Sequence, residues 1–104
     1  MDPIDVDDDF DPAALVRRIR GKSRQIARCY EGHLTRNPGL RGRIDAEVTV
    51  MPAGNVRVDI ARNTTGSDAV GGCVERHLRT IRLSRGPDRI PVTLGFPFVF
   101  SPQT

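Results

Sequence analysis

The sequence predicts an α+β two-layer sandwich: a three-stranded antiparallel or mixed sheet with two helices on one face, in the order α-β-β-α-β. Three observations carry this expectation. Two segments repeat apolar residues at threes and fours, three alternate apolar and polar residues, and a Pro-Ala-Gly-Asn turn joins the first two alternating segments. With 104 residues there is room for one core and no second domain.

The acidic stretch of residues 1–11 reads as a linker or leader, the domain as residues 12–102 and residues 103–104 as a tail. Asp11-Pro12 supplies an N-cap and a proline at the first helical position. From Pro12 to Arg36, Leu15, Val16, Ile19, Ile26, Ala27, Tyr30 and Leu34 form an apolar stripe, with Arg17, Arg18, Arg20, Arg24, Arg28 and Arg36 on the other face. One long amphipathic helix is expected, weakened by Gly21 and Gly32 and stopped at Asn37-Pro38-Gly39.

The period then falls to two. Ile44, Ala46, Val48 and Val50 alternate with Arg43, Asp45, Glu47 and Thr49, and past the turn at Pro52–Asn55 so do Val56, Val58 and Ile60 with Arg57 and Asp59. Ser67 is the expected N-cap of a second helix, whose face carries Val70, Cys73, Val74, His77, Leu78 and Ile81 and which Arg85-Gly86-Pro87-Asp88 breaks. A last strand is expected from about Arg89 to Phe100, with Ile90, Val92, Leu94, Phe96, Phe98 and Phe100 pointing one way.

A crossover through the second helix leaves its two strands parallel, and the hairpin makes the first strand antiparallel to the second. The simplest sheet is therefore 2-1-3, with the third strand at an edge. Pro91 and Pro97 both withdraw donors from one side of that strand, so this side is not the one paired to the first strand. Val92, Leu94, Phe96, Phe98 and Phe100 are expected to pair inward. Thr93, Gly95 and Val99 then present N–H groups outward, on an edge that is either guarded against aggregation by its prolines or open to an extended peptide.

Composition narrows the function classes. Hydrophobic residues make up 38% and charged residues 28%, a globular balance, and no apolar run approaches the roughly 18 residues of a membrane span. The acidic start does not resemble a secretory signal. Residues 1–11 hold six acids and no base, so the rest carries all 16 bases against 7 acids, a balance of +9. Fifteen of those bases are Arg. A basic body keeps nucleic acid among the alternatives, and Gly39-Leu40-Arg41-Gly42 matches a GXXG loop, although here it joins a helix to a strand rather than two helices. The phenylalanines of the last strand would stack bases only from a solvent face, and their parity assigns them to the core. Asp45, Glu47 and Asp59 lie on the polar face of the hairpin beside Arg43 and Arg57, where cross-strand pairing accounts for them. No catalytic residue and no cofactor is expected.

Several stretches together resemble the TonB-type C-terminal domain, in the form found in myxobacterial gliding-motility proteins. They are Ile26-Ala27-Arg28-Cys29-Tyr30-Glu31, Leu34, Asn37-Pro38-Gly39-Leu40-Arg41-Gly42-Arg43-Ile44, Gly54-Asn55-Val56, Cys73-Val74 and Pro97-Phe98-Val99-Phe100. The resemblance covers about residues 14–102; its most specific part is Cys-Tyr-Glu at the helix end followed by Asn-Pro-Gly-Leu-x-Gly. It implies a periplasmic module of an inner-membrane-anchored protein that does no covalent chemistry. In that reading the edge residues Pro91, Thr93, Gly95, Pro97 and Val99 capture an extended, TonB-box-like peptide of an outer-membrane protein. An inner-membrane motor complex would act through segments N-terminal to this chain. The module would be a monomer or a strand-exchanged dimer, and no nucleic-acid partner is favoured.

The resemblance also favours a Cys29–Cys73 disulfide, which two helices sharing one sheet face could accommodate. Two alternatives stay open on the residues themselves. The cysteines could be buried free thiols in a reducing compartment. Or Cys29, His33, Cys73 and His77, which repeat as Cys-x-Glu-x-His-Leu, could give a Cys2His2 zinc site with two ligands from each helix.

Overall fold

The computed structural model of the chain describes residues 10–102. Most of the expected acidic leader and the 103–104 tail lie outside the described residues. Helices α1 (Pro12–Arg20) and α2 (Ser23–Leu34) are followed by strands β1 (Gly42–Val50) and β2 (Val56–Asn63), helix α3 (Asp68–Arg79) and strand β3 (Val92–Phe100). The sheet order is β2-β1-β3 with both pairings antiparallel, as the crossover argument required.

The single long N-terminal helix expected from the stripe is instead two helices. The Asp11 carboxylate accepts the Ala13 N–H and caps α1, which ends where the Gly21 N–H returns to Arg17 and the Lys22 N–H to Ile19. The Ser23 hydroxyl also donates to the Arg20 carbonyl at 2.6 Å, taking up an oxygen that a continuous helix would use itself. Glycine's low helix propensity makes this the weak point of the stripe. After the break α2 packs against α3, while Ala14, Arg17 and Arg18 of α1 lie beside Leu83–Arg85. Phe10 packs against the core as well.

The hairpin follows its alternation closely. Ile44, Ala46, Val48 and Val50 are fully buried, and Val56 and Val58 join them from β2. The register slips between Asp45 and Ala46, which face Arg62 and Ile60, so Ala61 is the extra residue of a β-bulge. Past that bulge Asn63 organises the turn into α3. Its amide donates to the Ser67 carbonyl, and its side-chain oxygen accepts from the backbone and hydroxyl of Thr65. The Ser67 hydroxyl accepts the Val70 N–H at 3.1 Å, confirming the expected N-cap. Ser67→Ala is expected to lower the unfolding free energy by about 1 kcal/mol in a urea melt.

Helix α3 ends at Arg79, before the Arg85–Asp88 breaker expected to stop it. The Thr80 and Ile81 N–H groups close a tight turn on His77 and Leu78, after which Arg82 bridges Asn55 and the Leu83 N–H reaches Gly54. Pairing to the hairpin turn thus ends the helix, and Ile81 is buried from outside it. Strand β3 starts at Val92, not Arg89, because Val92 faces Val50, the last residue of β1. Ile90, expected on the inward face, is 76% exposed.

Candidate functional site

The orientation of β3 follows from its neighbour. The Arg43 N–H donates to the Thr64 hydroxyl at 2.8 Å, and the Arg43 carbonyl accepts the Thr64 N–H at 2.9 Å. At the other end of β1, the Met51 N–H donates to Asn55. Odd-numbered residues of β1 therefore turn their backbone groups toward β2, and even-numbered ones toward β3. Gly42, Ile44, Ala46, Val48 and Val50 face Phe100, Phe98, Phe96, Leu94 and Val92, so these residues of β3 bond inward. Thr93, Gly95 and Val99 accordingly point their N–H groups away from the sheet, and Pro97 has none to offer. Pro91, the first residue of the expected edge, is exposed but precedes the strand.

The side chains follow the same parity. Those of Thr93, Pro97 and Val99 lie on the face without helices, where Val99 is 76% exposed and the Thr93 and Thr49 hydroxyls are 2.7 Å apart. Near the start of β1 the Arg43 guanidinium donates to Asp45 at 2.6 Å, an ordinary surface pairing. Leu94, Phe96 and Phe98 lie on the helix side. They are only half-buried, although parity assigned them to the core; Phe100 alone among the strand's aromatics is buried.

Their incomplete cover has a packing cause. Helix α3 lies against β2 and β1, and α2 lies against α3 rather than closely onto β3. A groove of about 600 Å³ remains between α2 and the end of β3, lined by Ile26, Ala27, Tyr30 and Leu34 on one side and Phe98 and Phe100 on the other. Tyr30 is fixed in it. Its ring stacks on Phe100 with centroids 5.0 Å apart, and its hydroxyl donates to the Leu40 carbonyl. Reading from sequence assigned α2 residues to the core and missed this groove. The available signal was three phenylalanines on an edge strand with too few helices to cover it.

Cys29 and Cys73 form a disulfide between α2 and α3, with Cα atoms 5.7 Å apart. Both sulfurs are consumed, so the four-residue zinc site does not exist in this oxidised form. His33 does not join the cluster of ligand atoms around the two sulfurs, and its Nδ1 lies 3.0 Å from the Cys29 carbonyl oxygen. The GXXG-like stretch Gly39–Gly42 runs from the end of α2 into β1, and the β3 phenylalanines are on the helix side of the sheet. Among the described residues, no helix is long and apolar enough to cross a membrane.

No family model matches the chain, and no solved structure matches it. Over 85 residues it is 31% identical to a Myxococcus xanthus (strain DK1622) protein named tyrosine-protein kinase MasK. The alignment takes in 80% of this chain and 13% of that protein, so the chain spans a small part of its relative's length.

Proposed function

We propose that this chain is a peptide-capturing domain that adds an extended segment of a partner protein to β3 as a fourth strand. The observation that carries this reading is the outward row of N–H groups at Thr93, Gly95 and Val99 beside an unfilled groove that Tyr30 and Phe98 help to line. Main-chain hydrogen bonds to that row would supply affinity. Alternate side chains of the added strand, falling on the helix side, would enter the groove over Phe98 and Tyr30 and supply selectivity.

The resemblance to TonB-type C-terminal domains extends the proposal. The captured segment then belongs to an outer-membrane protein, the domain sits in the periplasm as part of an inner-membrane-anchored protein, and the bond transmits force in energy transduction or gliding motility. A disulfide between two helices supports an oxidising compartment. We read the domain as non-catalytic. The stretch shared with MasK is 85 residues, and this sequence holds neither an Asp-Phe-Gly nor a His-Arg-Asp triplet of the kind that kinase chemistry uses. The domain would then be a recognition element that larger proteins of different activity carry.

The test is Gly95→Pro. A Cβ at Gly95 meets nothing within 4 Å, and its N–H points outward, so proline removes a donor from the edge without disturbing the sheet. With peptides selected from a random display library on the wild-type domain, affinity is expected to fall at least about tenfold, the loss of roughly one well-made hydrogen bond plus the clash of the ring. Thermal stability should stay unchanged. Equal affinity in the variant would remove β3 as the docking edge.

A further inference from the structure

The disulfide has a third neighbour. The Sγ atoms of Cys29 and Cys73 and a ring nitrogen of His77 all lie within 4.8 Å of one another. Cys29 is buried on α2, Cys73 is half-buried on α3, and His77 stands one turn beyond Cys73 on the same helix. We propose that, when the disulfide is reduced, Cys29, Cys73 and His77 bind one zinc ion, so that metal replaces the covalent link between α2 and α3.

The chemistry of the donor set selects the ion. Two thiolates and one imidazole, with no carboxylate in the group, suit zinc rather than calcium or magnesium, and three protein ligands leave one position of a tetrahedron to water. Zinc–sulfur bonds of ~2.3 Å in a tetrahedron place two sulfurs ~3.8 Å apart. The Cα atoms are 5.7 Å apart, so rotation about the Cα–Cβ bonds opens the pair to that spacing without moving the helices. His33, which the sequence repeat offers as a fourth ligand, lies outside the group whose ligand atoms are within 4.8 Å of one another.

The steps balance with a dithiol reductant. It transfers two electrons to the sulfur–sulfur bond and becomes a disulfide, while the two cysteine sulfurs take up two protons. Zinc then displaces both protons to solvent and binds the two thiolates. The clamp that holds α2 beside the groove would in this way survive reduction, in a form that depends on metal supply.

The experiment uses the domain reduced with a phosphine, freed of reductant under argon, and titrated with cobalt(II) and then zinc(II). Expected are one metal per chain in the native mass, thiolate-to-cobalt absorption that zinc abolishes, and no uptake by the oxidised protein. His77→Ala should weaken binding by about a hundredfold or more, as loss of one of three ligands requires, whereas His33→Ala should leave it unchanged. Circular dichroism covers the case in which reduction unfolds the domain: folding restored by zinc supports the site. A reduced domain that takes up no metal, folded or unfolded, overturns the proposal. So does an equal affinity in His77→Ala.

Discussion

Replacing Cys29 and Cys73 together by alanine is expected to lower the unfolding free energy by about 4 kcal/mol. The bridge spans 44 residues, a segment that includes the whole β1–β2 hairpin and the start of α3. Cutting it releases that loop in the denatured chain, and the longer the loop the larger the entropy returned to the unfolded state. Removing the buried Cys29 sulfur adds a small packing loss in the same direction. In a domain of this size the shift corresponds to about 20 °C or more in Tm. Parallel urea melts of oxidised wild type and the double variant measure it. A difference below about 1 kcal/mol would mean that the denatured chain is already compact enough to make the constraint redundant. The groove depends on the same bridge, because Cys29 adjoins Tyr30 and ties α2 to α3, so peptide affinity is expected to drop along with stability.

Gly54→Ala is the second large effect, expected at about 3 kcal/mol of destabilisation. Gly54 has φ +95°, a conformation that L side chains rarely adopt, and a Cβ there would overlap the Leu83 carbonyl oxygen. That backbone is tied on both sides. The Gly54 N–H donates to Met51, and the Gly54 carbonyl accepts the Leu83 N–H, each at 2.8 Å. Gly86 packs just as closely, since a Cβ there would overlap the Met51 carbonyl oxygen. The two glycines let the connection from α3 lie flat on the hairpin turn, and that connection delivers the chain to Val92, where β3 begins. Chemical denaturation gives the stability change, and backbone amide shifts at Val92–Gly95 should report a displaced start of β3. Wild-type stability with unmoved β3 shifts would show that the turn tolerates a side chain by relaxing away from Leu83.

Much of this architecture was legible in one sequence because local rules agreed with one another. Alternation at Ile44–Val50 and Val56–Ile60, the stripe from Val70 to Leu78, and the Ser67 and Asp11 caps each state a local preference that the fold keeps. Two prolines of one parity were enough to orient an edge strand, since a residue without an N–H cannot sit in the paired row. Where the structure departs from the pattern, a local weak point or a distant contact outweighs the apolar periodicity. The apolar stripe runs on through Gly21 and Lys22, yet the helix breaks there as α2 turns to α3. The apolar face of α3 extends to Ile81, yet Gly54 and Asn55 draw the chain out of the helix at Thr80.

Element order, sheet order, the strand residues that face the helices and the edge of β3 that carries outward donors could all be read along the chain. These follow from periods of 3.6 and 2, from glycine and proline stereochemistry, and from the handedness of a crossover, all of which act over a few residues. Tertiary packing sets how far the helices cover β3, and hence that Phe98 and Phe100 line an open groove instead of a closed core. It alone set His77, and not His33, beside the two sulfurs. Periodicity tells which side of a helix is apolar but not the distance at which that side settles on a sheet, because packing of all the layers together fixes that distance.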